Sequence, residues 1–492
     1  MKFTHLLFIL STFLFEVSAQ NVFILGQPIT VANGADYGAI RPRVALSGNT
    51  PLVMMGKTAT PKELNVARWN GSGFNTPVNV LPGPIDILIH PFDAPSFATN
   101  GQDVFVTYFN LPHSNSDVFT VKSSDGGVTW NNAVQVTNIG DSIPALVDVD
   151  ILGNGNPLVS WIQTTSNWHF PKQVVARSND GGSSYLPPID ATALTAGEPC
   201  ECCASTVIAD GNTVALLFRN NDNNARDAFA SISTDGGASF PDLVQVDFSG
   251  WIVPACPSSG PVGFISEGNL NAAWMTEGEG QASIKFGRLD LQSLQAGGNI
   301  DVDATAPLGA TQDQPQIAGR GDTIGVVWED TRNGTKDIYF AYTTTGPTGF
   351  NPSINITDST NTLGSQVSPD VAYNHGVFHL VYHDQSNNRV VYRTIALSTT
   401  VGVATVKPMD LSALIVSPIP VADFVQVKWN SRFAVKTISI IAMNGKVMMV
   451  FHPEGGTAFM KADVADLADG KYLVVVKDNA NQETVTRFVK AF

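Results

Sequence analysis

The chain has 492 residues, a formal net charge of −15 and only 14% charged residues, and its acidity is spread along the whole length. No Lys/Arg run or basic patch interrupts it, which excludes a nucleic-acid-binding protein. Abundant Gly, Asn, Thr and Ser argue for short strands joined by polar turns, and the length exceeds one ordinary domain unless the chain closes into a ring of repeats.

The chain opens with Lys2, a mostly apolar run from Leu6 to Phe15 and the small-residue cleavage site Val17-Ser18-Ala19. That run is too short to span a bilayer, so residues 1–19 read as a signal peptide and the exported chain begins at Gln20. No other segment reads as a transmembrane helix. Val22 to Val31 then reads as a strand.

A repeat follows. Ser123-Ser124-Asp125-Gly126-Gly127-Val128-Thr129-Trp130 reads like Ser178-Asn179-Asp180-Gly181-Gly182-Ser183-Ser184-Tyr185 and Ser233-Thr234-Asp235-Gly236-Gly237-Ala238-Ser239-Phe240, at a period of 55 residues. The same step reaches degraded copies at Asn70 and Thr345, and positions Asp290 and Thr400 where the turn is gone. Each unit has a Pro-led first strand such as Arg41-Pro42-Arg43-Val44, Gln314-Pro315-Gln316-Ile317 or Ser368-Pro369-Asp370-Val371. A second, apolar strand ends near an aromatic, a third leads into the Asp turn and a fourth follows it. Four strands per repeat predict an all-β fold, a seven-bladed β-propeller over residues 20–399, with a six-bladed ring as the alternative. The last unit lacks a fourth strand, which the segment Val22–Val31 is expected to supply, closing the ring.

The Asp turn resembles the Asp box, or BNR repeat, of sialidases and related secreted propellers. The resemblance implies a structural role for Ser123, Asp125, Gly127 and Trp130, for Ser178, Asp180, Gly182 and Tyr185, and for Ser233, Asp235, Gly237 and Phe240: side chains capping backbone N–H groups, glycines at positive φ, aromatics packing between sheets. Sialidases carry an Arg-Ile-Pro motif in the first blade, where this chain has Ile40-Arg41-Pro42-Arg43. No catalytic residue is carried over.

Because the Asp turns join third to fourth strands, the loops on the opposite face are the expected site. They offer Arg219, Asp222, Arg226 and Asp227 in the fourth unit, Glu329, Asp330 and Arg332 in the sixth, and His383, Asp384 and Arg389 in the seventh. Linking loops add Asp86, His90, Asp93, Glu198, Glu201 and Asp313. Arginine grips a carboxylate with two parallel hydrogen bonds, so this set could bind an acidic sugar or simply tie the blades together. The expected function is binding of a glycan or other surface ligand; the alternative is an exo-sialidase-type glycoside hydrolase.

Cys200, Cys202 and Cys203 lead into the fourth unit and Cys256 into the fifth. In an exported chain two disulfides are the first expectation, with three connectivities open. No cofactor is expected; the alternative is a soft metal on four thiolates.

Residues 400–409 read as a linker and 410–492 as a small β-sandwich domain. Ile415-Val416-Ser417-Pro418-Ile419-Pro420-Val421, the run from Ile438 to Lys446, Leu467-Ala468-Asp469-Gly470-Lys471-Tyr472-Leu473 and Arg487-Phe488-Val489-Lys490 resemble the C-terminal sorting domain of the type IX secretion system of Bacteroidetes. The resemblance implies that secretion machinery as a partner, and an extracellular or cell-surface destination. Ile419 departs from the pattern, which has Asn between the two prolines.

Overall fold

A computed structural model describes residues 21–137, 140, 142–357, 364–399, 415–429, 435–442, 446–453, 458–478 and 483–491. The expected signal peptide, the linker and residues 410–414 lie outside the described residues. The chain divides into two compact units, one spanning residues 23–398 and one holding the chain from Thr399 onward.

The larger unit holds seven sheets of four or five strands each. Each is antiparallel, and the strand order follows the sequence in all but sheet seven, whose outermost strands come from the N-terminal segment. Sheet one runs through Ile40–Ser47, Thr50–Lys57, Glu63–Arg68 and Val78–Asn79. The first strands of the others are Ser96–Asn100, Ser142–Ile151, Thr206–Asp210, Val262–Ser266, Gln312–Arg320 and Gln366–Asn374. Each of these touches the first strand of the next sheet, and Gln366–Asn374 touches Ile40–Ser47, so the contacts form a closed cycle.

What holds the cycle is a set of apolar layers, one between each sheet and its neighbour. Leu52, Val66, Val104 and Tyr108 fill the first. Val327, Phe340, Phe378 and Leu380 fill the sixth. The layer that joins the last sheet to the first contains Val31, Val44, Val53, Val390 and Tyr392. Burial of such side chains contributes about 1.5–3 kcal/mol each. Sheet seven is completed from the other end of the chain: Ile29–Asn33 pairs antiparallel with Arg389–Thr399, with Ile29 opposite Tyr392 and Asn33 opposite Arg389.

The three Ser-x-Asp-Gly-Gly turns have one geometry. Ser123 Oγ accepts from Gly127 N at 2.8 Å, and Asp125 accepts from Thr129 N at 2.8 Å and from Thr129 Oγ1 at 2.6 Å. Gly182, at φ 88°, could not carry a side chain, since a Cβ there would lie 2.5 Å from the Phe105 ring. Hydrogen bonds from Thr129, backbone and side chain, hold Asp125 down to about 2. Trp130, Tyr185 and Phe240 each pack toward the preceding sheet. These turns share an end of the sheets with the first hairpins: Gly126 N donates to Gln102 O, and Gly236 N to Asn212 O.

The smaller unit is a sandwich of two sheets, one of three strands and one of four. Val425, Val427, Ile438, Ile440, Val474, Val476 and Phe488 are fully buried between them.

Candidate binding site at the channel mouth

Seven first strands around an axis leave a channel, and their N-terminal ends form the mouth opposite the Asp turns. Four of these strands carry a bulge there, at Ile40/Arg43, Ala145/Asp148, Asp313/Gln316 and Val367/Asp370. Each bulge contains a residue in the left-handed region: Arg41 at φ 46°, Leu146 at 54°, Gln314 at 51° and Ser368 at 53°. A bulge re-aims the side chains beside it, and non-glycine residues keep such dihedrals only where the surroundings enforce them. Here the result is a polar wall. A cavity of about 290 Å³ lies inside, lined among others by Arg41, Arg43, Asp93, Asp148, Asp150 and Asp370.

Arg43 pairs with Asp370 at 3.5 Å, and its Nε is buried with no hydrogen-bond partner among the described residues. Arg41 donates to the Pro91 carbonyl at 3.2 Å. Burial, then repulsion from Arg43, pushes Arg41 down to about 9, so it stays charged at neutral pH. The acids move the other way. Burial pushes Asp93 up to about 6 against the pull of Arg41, and Asp150 up to about 7. Asp148 and Asp370 are raised for the same reason. Two guanidinium groups thus face carboxylates whose charged forms burial disfavours, an arrangement suited to an anionic ligand.

The carboxylates also stitch neighbouring first strands. Asp370 accepts from Val44 N at 2.7 Å, Asp148 from Val207 N at 3.0 Å and Asp150 from Ala209 N at 2.7 Å. Ser96 Oγ donates to Asp148 at 2.6 Å.

The same face carries an aromatic hairpin between the second and third strands of sheet three. Trp168 and Phe170 stand 43% and 74% exposed. Both have positive φ, 60° and 55°, rare for bulky residues. The His113 ring meets Trp168 edge-on at 5.4 Å. A second hollow, of about 420 Å³, lies at the other end of the sheets, lined by Asp210, Glu267, Arg320 and His375.

The loop residues singled out in the sequence have other surroundings. Arg219 is buried and donates to the Ser259, Arg226 and Met275 carbonyls, with Trp251 beneath it at 5.2 Å, tying sheet four to sheet five. Arg226 donates to Val253 O and to Cys200 Sγ, and Asp227 accepts from Trp251 N. Asp222 is exposed and accepts from Asn223. Arg332 grips Asp330 at 2.5 Å and Asp303 at 2.6 Å over the Tyr339 ring. Burial would raise Asp330, but hydrogen bonds from Arg332 and Trp328 outweigh it and hold the carboxyl low. Glu329 accepts from Lys336 and from Ser368 N, so it links sheets six and seven. Arg389 pairs with Asp384 at 2.9 Å, and His383 is buried with Nε2 unpartnered among the described residues. For Arg219 and Arg332 the geometry displays a tie between sheets. Of the linking-loop residues named from the sequence, Asp93 lines the cavity; Arg41, Arg43, Asp148, Asp150 and Asp370 do so as well. Their signal was charge at alternate positions, Arg41/Arg43 and Asp148/Asp150, on strands whose one face must look into the channel.

The cysteines form one disulfide, Cys202–Cys256, with Cα atoms 6.2 Å apart, joining the segments that lead into sheets four and five. The expected second disulfide is absent: Cys200 and Cys203 are buried free thiols. Cys203 turns inward toward Cys200 while half-exposed Cys202 turns to Cys256, so the neighbours Cys202 and Cys203 do not pair.

Residues 416–491 match the family model described as "Secretion system C-terminal sorting domain". The protein is secreted or held at the cell surface. No helix among the described residues is long and apolar enough to cross a membrane. Among curated proteins none matches the chain in sequence. Solved structures similar in shape include a PL25 ulvan lyase with bound saccharide, at 9% identity and a TM-score of 0.48, covering 76% of this chain and 95% of that one. A Trypanosoma rangeli sialidase is 8% identical with a TM-score of 0.41, covering 91% and 84%. A Penicillium chrysogenum α-L-arabinanase is 12% identical with a TM-score of 0.41, covering 77% and 98%.

Proposed function

We propose that the exported chain is a seven-bladed, Asp-box β-propeller that binds an acidic extracellular glycan at the channel mouth, and that its tail engages the type IX secretion machinery. The observation that carries the reading is Arg43: its guanidinium lines the cavity beside Arg41, and its buried Nε has no partner among the described residues. A sugar carboxylate would supply the missing acceptor, and guanidinium–carboxylate bonds are the strong, directional kind. Exposed Trp168 and Phe170 on the same face offer apolar platforms for sugar rings.

Binding is favoured over sialoside hydrolysis. The hydrolytic reading needs three arginines converging beside a Tyr–Glu pair, whereas Arg219, Arg332 and Arg389 are held in separate sheets. Among the described residues lining the cavity there is neither a tyrosine nor a glutamate.

The test is retention of the exported chain on an array of uronate-bearing, sialylated and neutral oligosaccharides, alongside a fluorogenic sialoside assay. Expected are retention on an acidic glycan, a loss of about tenfold or more in Arg43→Gln, and no fluorophore release. Retention indifferent to Arg43, or turnover of the sialoside, would overturn the reading.

A further inference from the structure

We infer that the four cysteines form a dithiol–disulfide relay, in which the bond between Cys202 and Cys256 passes inward to Cys200 and Cys203. Two distances carry it. Cys200 Sγ lies 3.4 Å from Cys202 Sγ and 2.8 Å from Cys203 Sγ. One buried sulfur therefore touches both the disulfide and the second free thiol.

The exchange runs in two displacements. The Cys200 thiolate attacks Cys202 Sγ; the Cys200–Cys202 bond forms, the Cys202–Cys256 bond breaks, and Cys256 leaves as a thiolate and takes up a proton. The Cys203 thiolate then attacks Cys200 Sγ; the Cys200–Cys203 bond forms, the Cys200–Cys202 bond breaks, and Cys202 leaves and is protonated. Two protons depart from Cys200 and Cys203 and two arrive at Cys202 and Cys256, so no oxidant or reductant is consumed. Thiolate attack through a mixed disulfide is the ordinary route of such exchange.

The surroundings favour the first attacker. Arg226 Nη1 donates to Cys200 Sγ at 2.9 Å, and cations beside a thiol favour its thiolate. The hydrogen bond shared with Cys203, with Arg226 and Arg219 nearby, holds Cys200 below the ordinary thiol range; burial pushes Cys203 above it. The two ends also differ in access. Cys200 and Cys203 are 0% and 1% exposed, whereas Cys256 is exposed. The relay thus moves reducing equivalents from a sealed dithiol to one facing solvent, where an extracellular disulfide can meet it. It also cuts the covalent tie between the segments leading into sheets four and five.

The test is disulfide mapping by mass spectrometry. The exported chain, purified without reductant, is moved from pH 4 to pH 8, quenched with acid at intervals, alkylated and digested. Two isomers are expected to interconvert, one bonded Cys202–Cys256 and the other Cys200–Cys203, each with the remaining pair alkylated. Cys200→Ser should retain Cys202–Cys256 alone, and Cys203→Ser should halt at Cys200–Cys202 with Cys256 alkylated. Three outcomes on the unmodified chain overturn the relay whether or not the variants fold. They are an unchanging Cys202–Cys256 bond, two stable disulfides with no free thiol, or four thiols carrying stoichiometric zinc or copper.

Discussion

Asp370 on the first strand of sheet seven accepts the backbone N–H of Val44 on the first strand of sheet one at 2.7 Å, across 326 residues of sequence. The same carboxylate pairs with Arg43. This is where the cycle of sheets meets itself along the channel. Asp370→Ala removes the acceptor, leaving a buried N–H and a guanidinium short of a partner. A buried group so stranded costs about 1–3 kcal/mol. The expected result is a lower denaturation midpoint by tryptophan fluorescence, with Asp370→Asn, which keeps one acceptor oxygen, falling in between. An Ala variant as stable as the parent would show that closure rests on the apolar layers alone.

The second closing element is the N-terminal strand. Arg393 donates twice to Gly26 O, at 3.0 and 2.9 Å, and Arg389 reaches Thr30 Oγ1 at 3.1 Å. Deleting residues 20–33 leaves Arg389–Thr399 as an unpaired edge beside an opened apolar layer. Exposed edges recruit other strands. Light scattering after size exclusion should find oligomers where the full chain is monodisperse; a monodisperse truncation would count against a closing role.

The features readable in the sequence were those built by local contacts. Ser123, Asp125 and Gly127 bond within one turn, so their spacing alone announces the geometry. A closing strand over Val22–Val31 was expected because a count of strands came out one short; the segment forms two, Asn21–Leu25 and Ile29–Asn33, both paired with Arg389–Thr399. The channel was harder. Arg43 finds its meaning only beside Asp370, and Asp93 only beside Arg41, residues that a linear reading places far apart. The loop arginines stayed open for the opposite reason. Arg332 and Asp330 lie two residues apart and satisfy each other, and type and spacing do not reveal whether such a charge is already taken. The cysteine pairing turned on which way Cys202 and Cys203 point, set by the path of the segment and not by its composition.

The Asp turns should matter for stability and not for ligand. Ser233 is fully buried; its Oγ accepts from Gly237 N at 2.9 Å and donates to Asp235 at 2.7 Å. Ser233→Ala strands the Gly237 N–H inside the sheet end, a loss of about 1–3 kcal/mol. The denaturation midpoint should drop while glycan retention, read where the protein remains folded, stays unchanged. A selective loss of retention would place the ligand on the Asp-turn face instead.

Asp93 contributes to the pH dependence of the channel mouth. Burial holds it up to about 6 in the folded chain, against an ordinary aspartate near 4. Around pH 5 it is largely neutral and leaves the field of Arg41 and Arg43 more positive; by pH 8 it is ionised and competes for Arg41. An acidic glycan whose carboxylate stays ionised throughout should bind more tightly at pH 5 than at pH 8. One pKa unit of differential interaction corresponds to about tenfold in affinity, ~1.4 kcal/mol. Stability moves in the same sense. The folded chain holds this proton between about pH 4 and 6 while the unfolded chain releases it, so the contribution of Asp93 to stability falls as pH rises through that window. Asp150, which burial holds up to about 7 on the same cavity, titrates in the same range, so Asp93→Asn should narrow but not abolish the difference in affinity between pH 5 and pH 8, and its denaturation midpoint should vary less over the same range. Titration calorimetry and denaturation at pH 5, 6, 7 and 8 read both quantities, and a parent protein that binds the acidic glycan better at pH 8 would remove Asp93 from control of the site.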